Sequence, residues 1–206
     1  MESSMSTVMP DIEGRVPVSP IEIREVESGA ATIAGYAAVF GDSADIGGYF
    51  REVVARGAFT NTLKTSDVRA YFGHDRNRIL GRVSAGTLRV REDEKGLLVE
   101  IDLPDTSDGR DAKVSIERGD ISGMSFGFSA VRQSWDETSD PATRTLKEVI
   151  LYEVSITADP AYTGTSIALR SRDEARKDRR RHNFSGAARR VHLDLRARGV
   201  AVESKA

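Results

Sequence analysis

Cysteine is absent from the 206 residues, which excludes disulfides, thiolate metal sites and a cysteine nucleophile together. Histidine is almost as scarce. Three of them, His74, His182 and His192, stand at no short spacing and make a poor ligand set, so no metal and no other cofactor is expected. Aromatic residues are 6% of the chain, too sparse to furnish the stacking platforms that bind single-stranded nucleic acid. No apolar run approaches the roughly 20 residues of a membrane-spanning helix. Residues 1–19 lack the charged-then-apolar order of an export signal, so a cytosolic protein with no membrane partner is expected.

What is present is ordinary soluble composition, with 39% hydrophobic and 30% charged residues and a formal net charge of −2. The length suits one well-packed domain with flanking tails. Residues 1–19 mix Ser, Pro and Met without periodicity and read as a mobile leader. Residues 20–170 carry the periodic segments and read as the folded domain. Residues 171–206 are an arginine-rich, charged tail, helical in propensity or disordered, with Arg179, Arg180 and Arg181 adjacent in sequence.

Within the domain, alternation begins at IEIREVE, with Ile21, Ile23 and Val26 among charges, and continues through ATIAGYAAVFG. GDSADIGGYF reads as a loop and REVVARGAF as a short strand and turn. TNTLKTSDV reads as a short helix with Thr60 as its N-cap. TLRVRED and GLLVEIDL read as a hairpin in which Gly96 supplies a positive backbone dihedral. DTSDGRDAKVSIERGD reads as a helix capped by Asp108 and ended by Gly119, and SWDETSDPATRT as a polar connection. About seven short strands with two or three helices, and no regular βαβ alternation, predict an α+β fold: a mostly antiparallel sheet or small barrel with helices outside.

The stretch ISGMSFGFSA, residues 121–130, is the most informative. Period two puts Met124, Phe126, Phe128 and Ala130 on one face, the core face, and Gly123, Ser125, Gly127 and Ser129 on the other. A glycine on each side of Ser125 clears space above the strand, so that an extended backbone could approach the hydroxyl. Small residues on one face also occur where a neighbouring element simply packs close. Ser122, at the start of the stretch, reads as a turn or capping residue.

A nucleophilic serine needs a base. His74 follows a run whose Val68, Ala70 and Phe72 form one apolar face, and precedes a polar segment read as a flexible loop, HDRN. An imidazole held at a strand end is suited to general-base work. The base in turn needs an orienting acceptor. In ILYEVSITADPAY, Ile150, Tyr152, Val154 and Ile156 fall on one face and Leu151, Glu153, Ser155 and Thr157 on the other. Glu153 is a carboxylate set mid-strand, where a charge must be paired or solvated; an edge strand or a solvated face would also accommodate it. Asp159, before Pro160, reads as a turn residue.

With these segments in hand the chain resembles the prohead (procapsid) maturation proteases of tailed bacteriophages from about Ile33 to Ile167. The likeness lies in AGYAAVF, the turn Gly57-Ala58-Phe59, GHD, ILGRV, DEKGLLVEIDLP, RGDISGMSFGF and EVSITADPAYTGTSI, taken in that order. The resemblance implies a serine endopeptidase with a fold like the herpesvirus assembly protease, a mostly antiparallel β-barrel ringed by a few helices. By position it implies Ser125 as nucleophile, His74 as base and Glu153 as third member. Gly73 stands where asparagine is frequent in such proteins. Related assembly proteases use a second histidine as third member, and none is available within this domain.

The resemblance further implies acyl transfer, with two backbone N–H groups for the oxyanion drawn from the glycines around Ser125 or from residues 159–164. It implies the major capsid protein and its scaffolding segment as substrate, self-cleavage in the leader or tail, and the portal and other copies of the chain as further partners. The place of action would be the host cytoplasm, inside the procapsid. The alternative is a non-catalytic scaffolding or nucleic-acid-binding assembly protein that works through its basic tail.

Overall fold

A computed structural model describes residues 12–15, 21–25 and 31–158, together with 173, 176 and 177. The chain divides into two compact units, Met1–Thr165 and Ser166–Ala206. Of the second, Asp173, Arg176 and Lys177 are described, and all three are helical. The arginines at 179–181, His182, His192, Asp159 and the segment 159–164 lie outside the described residues, as do residues 1–11 and 16–19 of the segment read as a leader.

Eleven strands and two helices are described in the first unit. The strands are β1 (Glu13–Arg15), β2 (Glu22–Glu25), β3 (Ala31–Val39), β4 (Ser43–Ile46), β5 (Phe50–Val54), β6 (Arg69–Phe72), β7 (Asp75–Arg82), β8 (Leu88–Glu92), β9 (Gly96–Asp102), β10 (Gly123–Asp136) and β11 (Thr143–Thr157). The helices are α1 (Thr62–Thr65) and α2 (Ser107–Glu117). A seven-stranded sheet runs β1-β10-β11-β5-β4, with β6 paired to β11 and β7 to β6. A four-stranded antiparallel sheet runs β2-β3-β9-β8. The larger sheet is mixed because the long β11 pairs in parallel with β5 along its first part and with β6 along its last. The sheet-rich, mostly antiparallel architecture with few helices matches the coarse part of the expectation, with the described strands divided between two sheets. Among the described residues no helix is long and apolar enough to cross a membrane.

The core draws on both sheets. Ile33, Leu97, Val99 and Ile101 from the smaller one and Met124, Phe126, Phe128, Val154 and Ile156 from the larger are all buried in one cluster. Phe126 lies 5.4 Å from Phe59 edge-on and 5.0 Å from Phe128 in a stack; burying each such ring is worth about 1.5–3 kcal/mol. The core face read for residues 124–130 is therefore as expected, with Ala130 packed at its margin.

Several local readings change. Residues 13–15, inside the segment read as a leader, form a buried strand that pairs with β10 across Phe126, Gly127 and Phe128. Its side chains hold a desolvated ion cluster. Arg15 Nη2 donates to Glu13 (2.6 Å), Arg15 Nε to Glu52, and Arg144 Nη1 to both Glu13 (2.6 Å) and Glu52 (2.9 Å). Burial alone would favour a neutral Arg144, but the hydrogen bond to Glu13 and the charges of Glu52 and Glu13 raise its pKa above the ordinary arginine value.

GDSADIGGYF is a hairpin rather than a loop, with Gly47 and Gly48 at positive φ between β4 and β5. Helix α1 has Asn61 at its N-cap with no side-chain cap, and Thr60 instead donates to Glu92 (2.6 Å). Helix α2 is capped by Thr106, which accepts from the Gly109 N–H, while Asp108 pairs with Arg78 (2.6 Å). Gly96 is needed for a close approach, not for a turn. A β-carbon there would sit inside the contact distance of the Ala38 carbonyl.

Candidate active site

Three adjacent strands build the site. In β10–β11 register Ser125 faces Ser155 and Gly127 faces Glu153. In β11–β6 register Ser155 faces Tyr71 and Ile156 faces Phe72. His74 follows two residues beyond Phe72. The polar face read from residues 123–129 thus continues across β11 to the end of β6.

His74 is not on a loop. Phe72 and Asp75 pair, which leaves Gly73 and His74 as a two-residue hairpin turn between β6 and β7. Both have positive φ, 59° and 63°, the signature of a type I′ turn, for which Gly and Asn are the favoured residues. A histidine at positive φ is uncommon and needs support from its surroundings. Here the Gly73 N–H donates to the Ile156 carbonyl (2.9 Å) and the His74 N–H to Ser155 Oγ (3.3 Å), so both turn amides are anchored on β11. On the other arm of the hairpin, the Arg78 guanidinium lies 3.8 Å over the Phe72 ring and pairs with Asp108 of α2. Of HDRN, His74 closes the turn and Asp75, Arg76 and Asn77 are the start of β7.

The imidazole is held by one nitrogen. Nδ1 of His74 lies 2.7 Å from Glu153 Oε1. An ionised carboxylate only accepts, so Nδ1 is the donor and the neutral ring keeps its lone pair on Nε2. Ser155 Oγ donates to the other carboxylate oxygen, Oε2, at 2.7 Å. Both oxygens of Glu153 are therefore engaged, and its side chain is mostly buried.

Two buried polar atoms in this strip lack hydrogen-bond partners, His74 Nε2 and Ser125 Oγ. Ser125 has no exposed surface. Each such atom costs about 1–3 kcal/mol, so each calls for an explanation, and a catalytic role is one. Glu153 and His74 are brought into direct contact. Ser125 lies on the neighbouring strand of the same face, with no hydrogen bond to the imidazole. Ser122 is exposed and precedes β10. Among the described residues no cluster of His, Asp and Glu is arranged to hold a metal ion.

The glycine beside the serine has a different task from the one read in the sequence. A β-carbon on Gly127 would lie 2.5 Å from Glu153 Oε1 and 2.9 Å from its Cγ. The cleared space is filled by the Glu153 side chain, so Gly127 makes room for the carboxylate rather than for an incoming backbone. Ser155 is the residue that sequence reading passed over. Its signal was present, because a serine two positions after a mid-strand carboxylate shares its face.

Residues 19–179 match the family model of caudovirus prohead serine proteases. The chain is 32% identical over 166 residues to the prohead protease of Enterobacteria phage HK97, covering 78% of this chain and 69% of that protein. The structure of the bacteriophage T4 capsid assembly protease aligns over 70% of this chain and 96% of its own, with a TM-score of 0.48 and 12% identity.

Proposed function

Given that the chain belongs to the caudovirus prohead serine protease family, and is thus a serine protease of capsid maturation, we propose that Ser125, His74 and Glu153 are its catalytic triad. Ser125 Oγ attacks the scissile carbonyl while Nε2 of His74 takes its proton. The tetrahedral intermediate collapses as Nε2 returns that proton to the leaving amine. Water then attacks the acyl-enzyme by the same base, releasing the acid and restoring Ser125. Glu153 fixes the tautomer and stabilises the imidazolium without taking the proton.

The observation that carries this reading is the division of labour on the imidazole. Its Nδ1 is spent on Glu153, while Nε2 and Ser125 Oγ, on the strand next to β11, are the two polar atoms of the strip left without partners. Both are enclosed, so a substrate reaches them only after local opening. The reading extends to an extended substrate segment in the major capsid protein precursor, cut inside the procapsid, and to cleavage of the chain itself. The protease domain expected over residues 20–170 takes in the strand at residues 13–15 as well, since that strand pairs with β10, and the two sheets form the halves of a herpesvirus-protease-like barrel.

Co-expression with the cognate major capsid protein tests the assignment. Wild type should shorten the capsid protein by intact mass, and Ser125→Ala should leave it whole. Cutting by Ser125→Ala would reject the nucleophile. Loss of cutting in Ser122→Ala alone would move that role to Ser122.

A further inference from the structure

We infer that Ser155 is a positioning residue of the same site, one that locks the base and its carboxylate together; the inference rests on the triad proposed above. Three facts carry it. Ser155 is 1% exposed on β11, directly opposite Ser125. Its hydroxyl proton goes to Glu153 Oε2 at 2.7 Å. Its oxygen accepts the backbone N–H of His74 at 3.3 Å. One hydroxyl therefore touches both partners of the Nδ1 hydrogen bond and neither reacting atom.

The geometry explains why a hydroxyl is needed. A carboxylate gripped through Oε1 alone can swing about its Cγ–Cδ bond and carry the imidazole with it. With Oε2 tied to Ser155, the carboxylate plane is fixed. The same oxygen gives the turn amide of His74 a buried acceptor, which holds the positive-φ residue against β11. An alanine would free the carboxylate and orphan that N–H in one step. A purely structural serine would do neither to the imidazole.

The matched pair Ser155→Thr and Ser155→Val isolates the hydroxyl, because the two side chains share shape and strand preference and differ by one polar group. Two readouts are taken. One is steady-state cleavage of a capsid-derived peptide. The other is the downfield proton resonance of the Nδ1–H of His74 when bound to a carboxylate, which needs no turnover and is recorded in a Ser125→Ala background. Val is expected to lower kcat about 10- to 100-fold with KM within about twofold, and to lose or broaden the resonance, while Thr keeps most of both. Equal kcat and an intact resonance in Thr and Val would overturn the inference, and so would equal losses in the two. If the Ser125→Ala enzyme itself still cleaves, the triad reading fails instead, while the resonance still reports on Ser155.

Discussion

Replacing Gly127 with alanine tests the site through a residue that bears no reactive group. The new β-carbon would start 2.5 Å from Glu153 Oε1, 2.9 Å from Cγ and 3.0 Å from Cδ. Ordinary contact begins near 3.4 Å, so the carboxylate oxygen must give way by about 0.9 Å, the difference between 3.4 and 2.5 Å. That oxygen is the one bonded to His74 Nδ1 at 2.7 Å, and the useful range of such bonds is only about 0.5 Å wide. Glu153 cannot yield that far and keep the bond, and a change of rotamer would also forfeit the Ser155 contact. Loss of one charge-assisted hydrogen bond, about 1.5–3 kcal/mol, corresponds to roughly 10- to 150-fold in rate. Full loss of an orienting carboxylate in a serine triad costs up to about 10⁴. Gly127→Ala should therefore fall between these bounds in kcat, with a stability loss of about 1–3 kcal/mol from overpacking. The assay is a time course of capsid-protein intact mass beside a thermal melt. A variant that cleaves within twofold of wild type and melts at the same temperature would refute the placement of Glu153 over Gly127 and its link to the base.

Gly73→Ala should destabilise the fold by about 1–2 kcal/mol, the cost of a β-carbon in the left-handed region, while Gly73→Asn stays near wild type. Equal melting temperatures for the two would argue against the turn at Gly73 and His74. Arg144→Met removes a fully buried cation that holds both Glu13 and Glu52. Breaking such a cluster costs about 3–5 kcal/mol, or roughly 6–20 °C in Tm at this chain length, with faster amide exchange at residues 13–15; a Tm drop under about 2 °C would contradict it. The Asp67 carboxyl, hydrogen-bonded by Arg82 and by the Ser84 N–H, is held at about 2, below its usual 3.8. Its small contribution to stability is thus present above the unfolded value near 3.8 and is lost as pH falls through about 2. A carboxyl ¹³C titration with a midpoint near 4 would remove the Arg82 pairing.

What could be read from the sequence was whatever period two governs without interruption. Val68 and Ala70 are buried, Phe72 packs beside them, and the apolar face of β6 is as read. The hairpin of β8 and β9 and the core face of residues 124–130 follow the same logic, and the helix α2 was legible from its own spacing of three and four, with Gly109, Ala112 and Ile116 buried. Strands built from charge were missed. Most residues of β7 (DRNRILGR) are exposed, so its pattern is that of a loop, and its pairing with β6 is what makes it a strand. The four-residue SADI of β4 carries too little apolar content to register. The helix caps were misassigned because Thr60 and Asp108 have better partners far away in sequence, Glu92 and Arg78. Of the candidate site, residue types and strand ends were legible. The contact that orders them was not, because it joins positions 79 residues apart.

The faces of β11 show why. Period two from Ile150 to Ile156 would put Ile150 in the core, yet it is 42% exposed while Leu151 is 1% exposed. The register of β10 and β11 skips from Phe128–Leu151 to Gly127–Glu153, so Tyr152 is an extra residue, a β-bulge. Before the bulge, Val149 and Leu151 face the core; after it, Val154 and Ile156 do. Had alternation run on unbroken from Leu151, Glu153 and Ser155 would have pointed into the apolar cluster, where an unpaired carboxylate could not stay ionised. The bulge moves both onto the face of Ser125 and Gly127, and the turn at Gly73 and His74 brings the imidazole over the same face. One departure from regular sheet thus supplies the carboxylate and another supplies the ring. That is the physical sense in which the proposed triad depends on the two places where this sheet departs from regularity.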